Sequence, residues 1–351
     1  MKNFLCIVLA FLISCSSQVE SGNFFEKDIQ YKKQRNNVGS LIALDSIKLS
    51  TFGIFNTYWL EINKNELFIS NGKKLIIVKK KNFSNHHTIN FAEGKGPNEV
   101  IGVNTLDVKD SLIALGDVSQ RKVLIGRIPE IFGNEIIWKK NLIFDTKAVP
   151  NQINIIDSET YLVFSRASGS EFTFNIVDKN GSRINGFEKL PSTHELHDIL
   201  LSLKYQGYTT VNGSGIYYAG YAEPILKKYN LKGELAYSVS TIDNYSTETN
   251  YMSSVGDQQS VYGYAPGTLF STRDFYLNKD YWLVIPDANG SDNFAFIDIY
   301  DEDQGEYVGS FTLKNIPKYI TSDDHFIYVI ETMHDKQYLK IYKNDIEQRL
   351  F

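Results

Sequence analysis

The 351-residue chain carries 36 Lys and Arg against 41 Asp and Glu, a formal charge of −5, with 42% hydrophobic and 13% aromatic residues. A mild, dispersed negative charge lacks the basic footprint of a nucleic-acid binder, so no nucleic-acid partner is expected. Of the two cysteines, Cys6 lies in the first apolar run and Cys15 just after it, which leaves no disulfide inside a processed domain.

The chain opens with Lys2, an apolar run over residues 4–13 and then Leu12-Ile13-Ser14-Cys15. The run is short of the roughly 20 residues that span a bilayer, and its layout is that of a secretory signal. Leu-Ile-Ser-Cys resembles the lipobox of bacterial lipoproteins. That resemblance implies cleavage before Cys15 and lipidation of that residue, hence a membrane partner through a lipid anchor. The expected division is a signal peptide over 1–14, a lipidated tether over 15–39 and one domain over 40–351. Residues 16–39 are polar and lysine-rich without a sustained period, as a tether should be.

A lone strand pattern follows, LIALDSIKLS over residues 41–50. Then one unit recurs: two short apolar strands joined by a polar turn. The pairs begin at residues 66, 111, 160, 215, 281 and 325, at intervals of 44 to 66 residues, and the shorter intervals match a propeller blade. Each full repeat reads as four strands, for example VNTLDVKD, SLIALGD, KVLIGRI and EIIWKKNLI in the second. Lys179-Asn180-Gly181, Lys232-Gly233 and Gln304-Gly305 supply the residues that tight turns need at positive φ. The sixth repeat has only three strands, and residues 41–50 are the natural fourth, because a closed ring leaves no open sheet edge. The expected fold is therefore all-β: a six-bladed β-propeller of four-stranded antiparallel blades, its last blade closed by an N-terminal strand.

Two insertions lengthen the intervals. Residues 191–204, PSTHELHDILLSLK, combine an N-cap with apolar residues at Leu196, Ile199, Leu200 and Leu203 and predict a helix. Residues 243–266 are polar and tyrosine-rich with no strand pattern; Tyr262 and Tyr264, with Arg273 beyond, have the amphipathic composition of recognition surfaces.

After the first repeat, residues 93–100 read EGKGPNEV. The motif Gly94, Gly96, Pro97 and Glu99 resembles the Gly-x-Gly-Pro-x-Glu loop of TolB-like six-bladed propellers found as bacterial lipoproteins. What the resemblance implies is an envelope propeller rather than a reaction. The two glycines permit a tight crossing to the next blade, and Glu99 is placed to accept N–H groups inside it. Lys95, Asn98 and Glu99 could alternatively meet a ligand at the mouth of the channel.

Asp117 and Arg121 flank a turn whose acid should cap it; Arg166 occupies the corresponding position one blade on. His194 and His197 are three apart, unlike the His-Glu-x-x-His of zinc proteases, and no catalytic motif stands out, so no metal site or cofactor is expected. The leading reading is a lipid-anchored binding or scaffolding module of the cell envelope, outer membrane included, for a protein or glycan. The alternative is a metal-assisted hydrolase or lyase, lactonase-like, with Glu61, Asp107 and Asp157 as inner-strand acids at the channel mouth.

Overall fold

The computed structural model describes residues 34–128, 137–143, 149–166, 170–189, 205–243, 251–254, 260–263, 270–287 and 295–350, with backbone alone at 137–143, 149, 166, 251–254 and 260–263. Cys15, the helix expected over 191–204 and Tyr264 lie outside the described residues.

Six blades follow one another along the chain, and the strands that each repeat itself supplies pair antiparallel in sequence order from inner to outer. Blade one runs through Trp59–Ile62, Glu66–Ser70, Lys74–Lys79 and Asn82–Asn90. Blade two comprises Thr105–Lys109, Leu112–Asp117, Lys122–Arg127 and Ile137–Ile143. Blade three is Val149–Ile155, Thr160–Arg166, Phe172–Asp178 and Arg183–Lys189. Blade four is Gly207–Val211, Ile216–Gly220, Ile225–Tyr229 and Leu235–Ser240. Blade five has Thr272–Asn278, Tyr281–Pro286, Ala295–Asp301 and Tyr307–Leu313. Blade six has Ile316–Ser322, Phe326–Met333 and Lys336–Lys343 of its own.

The fourth strand of blade six is Ala43–Lys48, paired antiparallel to Lys336–Lys343, as the three-strand deficit of the last repeat requires. Just before it, Asn37–Ser40 pairs parallel to Tyr307–Leu313 and gives blade five a fifth strand. These residues fall in the stretch read from sequence as tether. Arg35 secures them: its guanidinium pairs with Asp298 through both carboxylate oxygens at 2.9 and 3.0 Å and also reaches Asp243. The C-terminal helix Ile346–Leu350 also reaches this strand, Arg349 donating to the Ser40 carbonyl at 3.0 Å.

Blade strands read as continuous apolar runs because both faces of each blade are buried. Leu67 and Ile69 pack toward blade six while Phe68 packs toward blade two. Tyr161 and Val163 face blade two while Leu162 and Phe164 face blade four. Alternate side chains point to opposite faces of a strand, so each blade feeds two interfaces. Among the described residues an apolar cluster fills every one of the six junctions between neighbouring blades.

Short polar turns close the hairpins by one device. Asn63, Asp157, Asn212 and Asp323 each accept backbone N–H groups of the turn between first and second strands. Asp178, Asn230 and Asp301 do the same between third and fourth strands, where Gly181, Gly233 and Gly305 take φ of 83°, 82° and 72°. The tyrosine-rich insertion differs from expectation: Tyr251–Ser254 pairs antiparallel with Ser260–Gly263. Strands this short are hidden in sequence, since four residues carry too little alternation to register.

Candidate functional site

Strand direction alternates within a blade. The crossings from an outer strand to the next inner strand therefore emerge on the same face as the turns between second and third strands. That face carries most of the residues that the sequence nominated.

The crossing over residues 93–100 is clamped onto the turn of blade two. Asp117 accepts the Gln120 N–H at 3.1 Å within its own turn and the Ile101 N–H at 2.7 Å from the crossing. Gln120 donates to the Gly94 carbonyl at 2.9 Å, and the buried Lys122 ammonium donates to the Gly96 carbonyl at 2.9 Å and to that of Glu99. Glu99 turns inward, accepting the Gly96 N–H at 2.7 Å. Gly94, at φ 155°, has no room for a side chain, because a Cβ there would lie 2.1 Å from Glu99 Oε2. Lys95, Asn98 and Arg121 stay exposed around this clamp. Arg166 ends the second strand of blade three, and Tyr262 lies in the second strand of the insertion hairpin; both are described by backbone only. Arg273 opens the inner strand of blade five and pairs with Asp287 at 2.8 Å through Nε.

The structure brings together a different set. Trp59, Asn104, Val118, Gln152, Tyr208 and Tyr221, with Asn151, Gln206 and Gly207 beside them, line a cavity of about 460 Å³ at the mouth of the ring. None of the nominated residues whose side chains are described lines it. Trp59 is held by its indole N–H donating to the Asn104 carbonyl at 2.7 Å. Tyr208 meets Tyr221 edge to face at 6.2 Å, and Tyr221 stacks on Phe270 at 4.2 Å. Gln152 is buried, and its Oε1 accepts both the N–H and the hydroxyl of Thr209, at 2.6 and 2.9 Å. A backbone N–H can only donate, so the amide is fixed with its NH₂ turned away from Thr209. A repeating signal was available: Trp59, Gln152, Tyr208 and Arg273 sit in the first half of the inner strands of blades one, three, four and five.

Below this mouth the channel narrows to about 20 Å³ between Glu61, Gln152, Tyr208, Asp274 and Tyr319, room for about one water. Inner strands are sheet edges whose outward N–H groups need acceptors. Side chains of the preceding blade supply them: Thr105 and Asp107 accept from Ile153 and Ile155, Gln152 from Thr209, and Asp274 from Ile320 at 2.8 Å. Burial pushes the Asp274 carboxyl up to about 8 and raises Asp107. Burial, then the charges of Asp107 and Asp274, hold Glu61 well above the usual range. Asp157 is elsewhere, capping its turn. Among the described residues no three of His, Cys, Asp and Glu are grouped to hold one metal ion, and no helix is long and apolar enough to cross a membrane.

No family model matches this chain, and no curated protein matches it. Solved structures do resemble it. BamB from Moraxella catarrhalis aligns at 11% identity and TM-score 0.40, over 82% of this chain and 83% of that one. A putative exported protein from Bacteroides fragilis aligns at 13% and 0.47, over 90% and 99%. The Cps50 (Swd1) β-propeller domain from Myceliophteria thermophila aligns at 11% and 0.45, over 83% and 100%. At such distances these likenesses say nothing of a ligand or an activity, and the six blades rest on this chain's own sheets.

Proposed function

We propose that this chain is a lipid-anchored propeller of the cell envelope that binds or scaffolds a protein or glycan through the face carrying its inter-blade crossings. The observation that carries the reading is the concave mouth of that face, about 460 Å³ and walled by aromatic and amide side chains. Volumes of about 300–1,000 Å³ with a few convergent polar groups are typical of binding sites. Exposed apolar side chains lie in crossings on the same side of the ring, Tyr58 at 52% and Ile101 at 43% exposure. Anchoring at Cys15 rests on the lipobox-like Leu12-Ile13-Ser14-Cys15, and the Gly94-Lys95-Gly96-Pro97-Asn98-Glu99 crossing supports kinship with TolB-like lipoproteins. Among the described residues the metal-assisted alternative finds no group of three ligands, and Asp107 and Asp274 each accept a backbone N–H.

The test is cross-linking of the full chain in its own membranes, with Cys15→Ser and the double substitution Tyr262→Ala, Tyr264→Ala alongside. The expected outcome is a reproducible envelope partner, lost or weakened in the tyrosine variant, and release of Cys15→Ser from the membrane fraction. A partner captured equally by the tyrosine variant removes the insertion from the site. Retention of Cys15→Ser on the membrane rejects the anchor.

A further inference from the structure

We infer that the cavity at the mouth of the ring is a subsite for an uncharged saccharide unit. This deepens the binding reading above and depends on it only in taking the same cavity as the site. The lining decides the chemistry. Trp59, Tyr208 and Tyr221 present aromatic surface, Asn104 and Gln152 present amides, and among the described residues no Asp, Glu, Lys or Arg lines the space. Among those residues a charged ligand would find no counter-charge to offset the desolvation of its ion. A sugar ring matches on both counts, with an apolar C–H face to lie on an aromatic ring and hydroxyls that both donate and accept.

The groups are held ready. Trp59 is pinned through its indole N–H to the Asn104 carbonyl at 2.7 Å. The Tyr208, Tyr221 and Phe270 rings brace one another, at 6.2 and 4.2 Å between successive centroids. Gln152 is only 4% exposed, and the two bonds from Thr209 to its Oε1 leave its NH₂ as a donor that no described residue accepts. A ligand hydroxyl in the cavity that Gln152 lines would accept from it. Fixed side chains of this kind spare a ligand the cost of ordering them.

A peptide suits the cavity less. Extended peptides bind by adding a strand to a sheet edge. Along the channel those edges are already capped, with the Ile153, Ile155, Thr209 and Ile320 N–H groups donating to side chains of the preceding blade.

The experiment applies the purified full chain to an array of uncharged oligosaccharides beside an array of peptides, then measures the affinity of any saccharide retained. Gln152→Glu keeps an oxygen for Thr209 and removes the NH₂ donor; Trp59→Ala removes the aromatic wall. Both are compared with wild type after thermal melting shows them folded. The expected result is a saccharide that binds wild type and loses at least about tenfold in affinity with either variant, one hydrogen bond or stacking contact being worth about that much. Equal saccharide affinity in wild type and both variants overturns the proposal, as does retention of peptides alone. A chain that retains no uncharged saccharide yet is still cross-linked to an envelope protein also overturns it, and leaves the scaffolding reading standing.

Discussion

Replacing Arg35 by alanine removes a cation from two carboxylates, one of them among the most enclosed in the molecule. Asp298 is 1% exposed, pairs with Arg35 at 2.9 and 3.0 Å, and among the described residues otherwise accepts only the Ser310 hydroxyl at 2.5 Å. Arg35 also lies 4.7 Å over the Phe296 ring. Breaking a buried pair by deleting one partner costs about 3–5 kcal/mol. The lower half of that range is expected here, because the Arg35 side chain is 20% exposed and Ser310 still serves Asp298. Arg35→Lys retains the charge but not the bidentate fork, and should cost about 1–2 kcal/mol.

The pH dependence adds a second readout. Burial raises the Asp298 carboxyl even beside Arg35, and without Arg35 it rises further. Between the ordinary value near 4 and that raised value, the folded variant holds a proton that the unfolded chain has released, so its stability falls as pH rises. The deficit of Arg35→Ala relative to wild type is therefore larger at pH 8 than at pH 5. Denaturant unfolding followed by tryptophan fluorescence at both pH values reads both quantities. A loss below about 1 kcal/mol, equal at the two pH values, is the behaviour of an exposed pair and refutes the reasoning.

The channel acids give a related expectation. Asp274 is held up to about 8 by burial, so wild-type stability declines from about pH 4 to about pH 8 through this group, and Asp274→Asn, which can still accept from Ile320, should melt a few degrees above wild type at pH 8 with the advantage shrinking by pH 5. Melting curves at the two pH values decide it, and an equal shift at both rejects a titrating origin. In the crossing, Gly94→Ala forces Glu99 off the Gly96 N–H and should cost about 1–3 kcal/mol, whereas Gly102→Ala, with nothing within 4 Å of a Cβ, should be near neutral. Parallel denaturant titrations of the two substitutions test this, and equal losses count against a clamped crossing.

The repeated strand pairs, the turn glycines and the three-strand last repeat determined the ring from sequence, because binary pattern and turn chemistry are local properties that recur with every blade. The same local logic placed Ala43–Lys48 in blade six and assigned Asp117 to its turn. Charge and exposure drew attention to Lys95, Arg121 and Arg273, since those are what a single segment displays. The cavity was invisible at that level. Trp59, Asn104, Gln152 and Tyr208 lie up to about 150 residues apart, each looks like an ordinary strand-end residue, and they converge only when blades one to four are set around a common axis. Which way Glu99 turned, and which N–H groups Asp107 and Asp274 would cap, likewise depended on the neighbouring blade, because an edge strand's unpaired groups are satisfied across an interface and not within the strand that bears them. Local pattern thus fixes each blade, whereas the rotation between blades decides which side chains share a space and therefore what the ring can hold.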